Sequence, residues 1–181
     1  YHRDRHPPPL RKRHMRKRDR IESITLPASL MSIGTGAFTL CTKLTSVSFE
    51  SGSQLETIGN NAFRELGLIE SITLPESLSS IGAYAFQDCT KLTSVNFNEL
   101  NQLKTIGVEL NMGNTFRNSG LESITIPASV TSIGQACFFG CTKLSSVTFE
   151  KNSKITSLYT STFEGSGVSG SITIPASVTN L

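Results

Sequence analysis

Short stretches in which polar and apolar residues alternate recur along this chain at a nearly fixed spacing. In Ser23-Ile24-Thr25-Leu26, the period of two predicts a strand that buries Ile24 and Leu26 and exposes both hydroxyl side chains. The equivalent leading apolar positions are Ile24, Val47, Ile72, Val95, Ile124, Val147 and Ile172. Shorter and longer steps alternate between them, and the longest step runs from Val95 to Ile124. A period within the range of about 20–50 residues predicts a solenoid in which each repeat forms one coil.

Other positions of the repeat are also in phase, which predicts that equivalent side chains stack as ladders inside the solenoid. One such ladder contains Phe38, Phe63, Phe86, Phe116, Phe138 and Phe163, and another contains Ile33, Ile58, Ile81, Ile106, Ile133 and Leu158. Pro27 lacks an N–H group and is expected to end the first strand, and a second short strand is predicted from Leu30 to Ile33. No coil can cover its own open faces, so stacking is expected to supply the stability.

Each coil is predicted to turn sharply after its second strand. Glycine follows that strand in five coils, where a positive φ or a close approach to a neighbouring backbone is expected. These residues are Gly34, Gly59, Gly82, Gly107 and Gly134, and Tyr159 takes the position in the sixth coil. The Ala-Phe-x-x-Cys segment that follows in the coils with proline is predicted to form a short helical turn that closes the coil.

The pattern Ser-Ile-Thr-Leu-Pro-x-Ser-Leu-x-Ser-Ile-Gly-x-x-Ala-Phe-x-x-Cys-Thr-Lys-Leu resembles the BspA-like branch of the leucine-rich-repeat superfamily over residues 21–181. The resemblance implies a repeat solenoid of β-rich α/β class: a right-handed leucine-rich-repeat coil with a parallel concave β-sheet, second short strands and short helical turns. It also implies a secreted or cell-surface protein that engages other macromolecules. The predicted repeats are 21–43, 44–68, 69–91, 92–120, 121–143, 144–168 and a partial repeat at 169–181. The lack of a polar cap at Leu181 predicts a segment of a longer protein.

Residues 1–20 differ in character from the repeats. They hold nine of the 17 Lys and Arg residues and two of the 14 acidic residues, which gives +7, against −4 for the rest of the chain. They show no core-forming pattern and are predicted to be a disordered tail. Nucleic acid or an anionic membrane are the candidate partners of this tail. Its candidate contact residues are Arg11, Lys12, Arg13, Arg16, Lys17 and Arg18.

The remaining chemistry favours a non-enzymatic protein without a metal site or cofactor. Cys41, Cys89 and Cys141 share one phase of the repeat and Cys137 stands at a small-residue position, so all four are predicted to be buried thiols. A metal pair at Cys137 and Cys141 would need further ligands, and no His follows residue 20. Acidic residues such as Glu22 recur in phase, as expected for a solvated edge.

The outward positions of the strands form the candidate binding surface on the concave face. They are almost all small hydroxyl residues, which predicts a flat, neutral face without aromatic anchors. The candidate residues are Ser46, Ser48, Ser71, Thr73, Ser94, Asn96, Ser123, Thr125, Ser146 and Thr148. The leading hypothesis is recognition of, or adhesion to, a protein or another extracellular macromolecule. The alternatives are a structural spacer within a larger protein and an ice or glycan surface matched by the hydroxyl ladders.

The fourth coil contains an insertion relative to the others. Ten residues separate Ile106 from Phe116, whereas five separate Ile58 from Phe63. The insertion is predicted to bulge from a side or convex face, and insertions in solenoids can carry specificity. Its candidate residues are Val108, Glu109, Leu110, Asn111 and Met112.

Overall fold

A computed structural model describes residues 20–97, 102–107 and 113–180 of the 181-residue chain. These residues form a parallel-strand β-solenoid of about six turns, and the described ranges contain strands and turns but no helix. Four-residue and two-residue strands alternate along the chain. The long strands are β1 (Ser23–Leu26), β3 (Ser46–Phe49), β5 (Ser71–Leu74), β7 (Ser94–Phe97), β9 (Ser123–Ile126) and β11 (Ser146–Phe149). The short strands are β2 (Ser32–Ile33), β4 (Thr57–Ile58), β6 (Ser80–Ile81), β8 (Thr105–Ile106), β10 (Ser132–Ile133) and β12 (Ser157–Leu158).

The short strands form one continuous parallel sheet through the solenoid, in the order β2-β4-β6-β8-β10-β12. Every step pairs equivalent positions, so that Ile33 lies beside Ile58 and Ile133 beside Leu158. All six side chains of this predicted ladder are buried. The in-phase stacking expected from the repeat is therefore confirmed at this position.

The long strands do not form one continuous sheet, and the expectation of a single long-strand sheet is wrong for the described residues. They pair two by two instead: β1 with β3, β5 with β7, and β9 with β11, each in parallel register. Strands β3 and β5 belong to different two-stranded sheets, and so do β7 and β9. The hydrogen-bonded pairs are related by the short step of the repeat, whereas the neighbours that lie in separate sheets are related by the longer steps.

The turn that follows β3 differs from the turn that follows β1. It is two residues longer than the corresponding turn after β1, and it accommodates a positive φ of 75° at Gly52. The N–H of Glu50 donates to the carbonyl of Leu26 at 3.0 Å and that of Gln54 to the carbonyl of Ala28 at 2.8 Å. The end of β3 is thus tied to the coil before it, on the edge that pairs with β1.

The predicted phenylalanine ladder runs through the core. Successive rings from Phe38 to Phe163 are stacked, with centroids 5.3 to 5.6 Å apart and interplanar angles of 1° to 16°. The four inner rings are fully buried and the two outer ones are half-buried. Stacked aromatic pairs contribute roughly 0.5–1.5 kcal/mol beyond the area that they bury. The ladder therefore links each coil to the next.

The helical turn predicted around each ladder phenylalanine is wrong, because two left-handed residues flank it in every coil. In the first coil these are Gly36 and Leu40, with φ values of 64° and 62°, and an α-helix requires negative φ throughout. The segment forms turns with internal bonds, such as the one from the N–H of Cys41 to the carbonyl of Phe38 at 3.1 Å, and it also bonds to the next coil. The N–H groups of Gly36, Phe38 and Leu40 donate to the carbonyl oxygens of Asn60, Ala62 and Arg64 at 2.8, 2.8 and 3.1 Å.

The glycines after the short strands serve close approach between coils, and positive φ occurs among them only at Gly107, at 68°. The expectation of a positive φ or a close approach is therefore confirmed for Gly59, Gly82, Gly107 and Gly134, and it is wrong for Gly34. A Cβ atom at Gly134 would lie 2.0 Å from the carbonyl oxygen of Gly107, and one at Gly59 would lie 2.8 Å from that of Ile33. Gly34 has no neighbour within 4 Å of such an atom.

Candidate binding face

The exposed first and third residues of the long strands form a continuous polar surface, which we call the hydroxyl face. All ten residues predicted for this surface are exposed, as the alternation of the strands requires. The side chains also bond across a strand pair: the hydroxyl oxygens of Thr25 and Ser48 lie 2.9 Å apart. The hydroxyls of Thr25 and Ser48 therefore hold each other in place.

Three clefts cross the hydroxyl face where long strands are not paired. Cleft 1 lies between β3 and β5 and has a volume of about 740 Å³. Cleft 2 lies between β7 and β9 and has about 190 Å³. Cleft 3 lies between β11 and residues 171–177 and has about 590 Å³. The hydroxyl face is thus indented where the long strands are unpaired, whereas a continuous sheet would be flatter.

All ten candidate residues of the hydroxyl face line one of these clefts. Ser46, Ser48, Ser71 and Thr73 line cleft 1; Ser94, Asn96, Ser123 and Thr125 line cleft 2; and Ser146 and Thr148 line cleft 3. The candidate insertion at 108–112 and the basic residues at 11–18 lie outside the described residues. Of the three predicted sets of site residues, the structure therefore brings together the one on the hydroxyl face.

A half-buried phenylalanine lines each cleft, so the prediction of a flat face without aromatic anchors is wrong. These residues are Phe49, Phe97 and Phe149, the last residues of β3, β7 and β11. Each occupies an inward position of its strand, but the next long strand is not paired with it and leaves the ring partly uncovered. The equivalent residues of β5 and β9, Leu74 and Ile126, are fully buried. The longer steps of the repeat, which follow β3, β7 and β11, were the sequence signal that could have identified these positions.

An acidic side chain lines each of the three clefts: Glu50 lines cleft 1, and Glu150 lines both cleft 2 and cleft 3. Glu50 in cleft 1 accepts a hydrogen bond from the N–H of Ala28 at 2.9 Å, and Glu150 in cleft 3 accepts one from the N–H of Ala128 at 2.8 Å. In both cases Oε2 is the acceptor, so the backbone fixes the carboxylate. Glu76 also lines cleft 1, and none of the described residues that line the three clefts is Lys, Arg or His.

The four cysteines are buried, as predicted from their phase in the repeat. The Cys89 thiol donates to the carbonyl of Phe63 at 3.1 Å, and that of Cys141 donates to the carbonyl of Phe116 at 2.9 Å. Burial raises the pKa of Cys89 to about 12 and also raises the pKa values of Cys137 and Cys141. The thiols of Cys89, Cys137 and Cys141 are therefore protonated core groups at neutral pH.

The described parts of the chain contain no group of three or more His, Cys, Asp or Glu residues that could hold a metal ion. Within the same ranges, no helix has the length and hydrophobicity that crossing a bilayer requires.

The stacked strands and ladders define a leucine-rich-repeat solenoid. The chain belongs to the family described as the BspA type leucine rich repeat region, whose pattern matches in six copies over residues 12–110 and 112–181. The resemblance read from the repeat is therefore confirmed. No curated protein has a significant match to this sequence.

Solved bacterial structures share the fold. The pneumococcal vaccine antigen PcpA is 33% identical, with a TM-score of 0.63 over 73% of this chain and 31% of its own. The leucine rich repeat protein of T. pallidum is 28% identical, with a TM-score of 0.69 over 80% of this chain and 65% of its own. A leucine-rich repeat protein from Eubacterium ventriosum is 25% identical, with a TM-score of 0.70 over 87% of this chain and 40% of its own. The chain thus spans less than two thirds of each of these relatives.

Proposed function

We propose that this chain is a non-enzymatic recognition or adhesion module that binds a protein or another extracellular macromolecule through the hydroxyl face. The observation that carries the proposal is the coincidence of hydroxyl groups and half-buried phenylalanines in three clefts on one surface. Interfaces gain most of their affinity from a few aromatic and charged anchors, with surrounding polar groups completing the contact. Each cleft supplies both kinds of group.

The comparisons support a surface-exposed location for this module. PcpA, which shares the repeat at 33% identity, is described as a vaccine antigen, and a vaccine antigen is useful where antibodies can reach it. By analogy, we place the chain on a secreted or cell-surface protein, where the hydroxyl face can meet external partners. The clefts also favour a macromolecular ligand over ice, because they interrupt the regular hydroxyl lattice that an ice surface would need.

A pair of matched variants tests the proposal. Thr73→Arg places a bulky charge in cleft 1, whereas Thr90→Arg makes the same exchange at an exposed turn outside all three clefts. The purified chain and both variants are passed over immobilised matrix proteins and glycans in a surface plasmon resonance panel. The proposal expects a saturable ligand whose binding is lost in T73R and retained in T90R.

The same panel separates recognition from the structural alternative. If the chain binds no panel member, the result favours a spacer that holds other domains apart. Equal binding of the same panel member by T73R and T90R would favour the same alternative. Circular dichroism of both variants checks that the fold is intact. Since Thr73 and Thr90 are both exposed, neither substitution is expected to unfold the solenoid.

A further inference from the structure

We infer that clefts 1 and 3 bind two cationic side chains of one extended partner segment, with arginine as the best fit. This inference rests on the proposed function and names the chemistry of its partner. Phe49 and Glu50 both line cleft 1, Phe149 and Glu150 both line cleft 3, and Glu150 also borders cleft 2. An aromatic ring next to a fixed carboxylate is a receptor for a guanidinium group, which stacks on the ring and pairs with the acid.

The charge of the clefts favours a cationic ligand. The carboxylates at 50, 76 and 150 are the only charged groups among the described residues that line the clefts. In Glu50 and Glu150, Oε2 accepts the N–H of Ala28 or Ala128, which leaves Oε1 for an external donor. The carboxylate does not need to reorient when a ligand arrives, so less side-chain entropy is lost on binding.

The chain itself shows that such a contact is compatible with this repeat. On another part of the solenoid, the guanidinium carbon of Arg117 lies 4.5 Å from the centroid of the Phe139 ring. There the cation comes from the neighbouring coil. In clefts 1 and 3, none of the described lining residues supplies a cation, so the equivalent place is available to a partner.

The separation of the two clefts sets the spacing of the cations. Clefts 1 and 3 lie four coils apart, and the phenylalanine ladder rises 5.3 to 5.6 Å per coil. This places the two receptors roughly 21–22 Å apart, which an extended peptide spans with about six or seven residues at about 3.3 Å each. Occupation of both clefts by one segment raises the affinity above that of either contact, because the second contact is intramolecular.

Three fluorescent peptides of equal length, in a Ser-Gly background, test this inference against the full chain by anisotropy at about 0.15 M salt. The first carries two arginines six residues apart, the second carries them two residues apart, and the third carries glutamines in place of both. The inference expects the first peptide to bind about tenfold more tightly than the second, and the third to show no specific binding.

Charge-neutral variants locate the contact. In the double variant Glu50→Gln and Glu150→Gln, the amide oxygen can still accept the Ala N–H, so the loop is preserved while the charge is removed. Binding of the first peptide should fall about tenfold. The control is Glu22→Gln with Glu122→Gln, which removes the same charge from exposed sites outside the clefts and should leave binding unchanged.

Three kinds of result would overturn the inference, and they bear differently on the proposed function. Equal binding of the arginine and glutamine peptides, lost in T73R, would mean that the hydroxyl face binds peptides without selecting cations. If the double variant E50Q with E150Q still binds the arginine peptide, and T73R and T90R change that binding equally, the clefts take no part in recognition. If the cleft and the control double variants both lose binding of the arginine peptide, the inference is likewise overturned. The loss would then reflect the net charge of the chain and not the position of the carboxylates.

Discussion

Substituting alanine at two equivalent glycines should change stability in opposite directions. Gly34 and Gly134 occupy the same position of the repeat, but only at Gly134 would an added Cβ atom meet a neighbouring coil. A Cβ atom there would be 2.0 Å from the carbonyl oxygen of Gly107, 2.7 Å from its carbon and 3.0 Å from the Cα of Gly113. All three atoms belong to the backbone, so no side chain can rotate away and the coils must separate.

The magnitude follows from the contacts that this separation disturbs. The N–H of Gly134 donates to the carbonyl of Ile106 at 2.8 Å, and the N–H of Asn114 donates to the carbonyl of Gln135 at 2.8 Å. Overpacking costs about 1–3 kcal/mol, and each weakened hydrogen bond adds about 1 kcal/mol. After a gain of about 0.4–1 kcal/mol from the stiffer unfolded chain, Gly134→Ala should destabilise by about 2–4 kcal/mol.

The control is Gly34→Ala, where a Cβ atom has no neighbour within 4 Å. Only the unfolded-state term applies, so this variant should be stabilised by up to about 1 kcal/mol. Equilibrium urea unfolding followed by far-UV circular dichroism measures both free energies of unfolding. Equal shifts in the two variants would refute the close approach between coils inferred at Gly134.

Further predictions concern the core. Phe116→Ala should lower the free energy of unfolding by about 4–5 kcal/mol and Phe163→Ala by about half as much, because Phe116 is fully buried between two rings and Phe163 is half-buried against one; urea unfolding compares them, and equal losses would contradict the ladder. Cys89 should resist thiol reagents at pH 8 until the chain unfolds, and rapid labelling of the native protein would contradict its burial. Because its pKa is raised from 9.0 to about 12, the unfolded state loses this proton first, and stability should fall as the pH rises above about 9. Cys89→Ala should reduce that fall, as pH-dependent denaturation would show.

The ladders could be predicted from the sequence because they depend only on phase. Equivalent positions separated by one repeat point the same way in successive coils, so Ile33 and Phe86 could be placed in the core without knowledge of the turns between them. The exposure of Thr73 and Asn96 followed from the same alternation. None of these assignments required a decision about which strands are hydrogen-bonded.

The clefts could not be predicted by phase alone, because they arise from small differences between coils. The turn after β3 has two more residues than the turn after β1, and β3 and β5 lie in separate sheets. The alternation of β3 places Phe49 at an inward position, yet the ring is half-buried beside the unpaired edge. The helical turn was predicted from a short segment whose left-handed flanks at residues such as Tyr84 and Asp88 are not evident from residue type.

Hydrogen exchange of single backbone amides, measured by NMR, tests most directly that successive coils stack in register. The informative amides are those of Gly59, Gly82, Gly107 and Gly134, which donate to the preceding coil's short strand at 2.7 to 2.8 Å. In-register stacking predicts that all four exchange about 1,000-fold or more slowly than in an unstructured peptide, since they open only with the coils themselves. Exchange of any of the four at the unstructured rate would contradict the stacked ladder on which the core and the clefts depend.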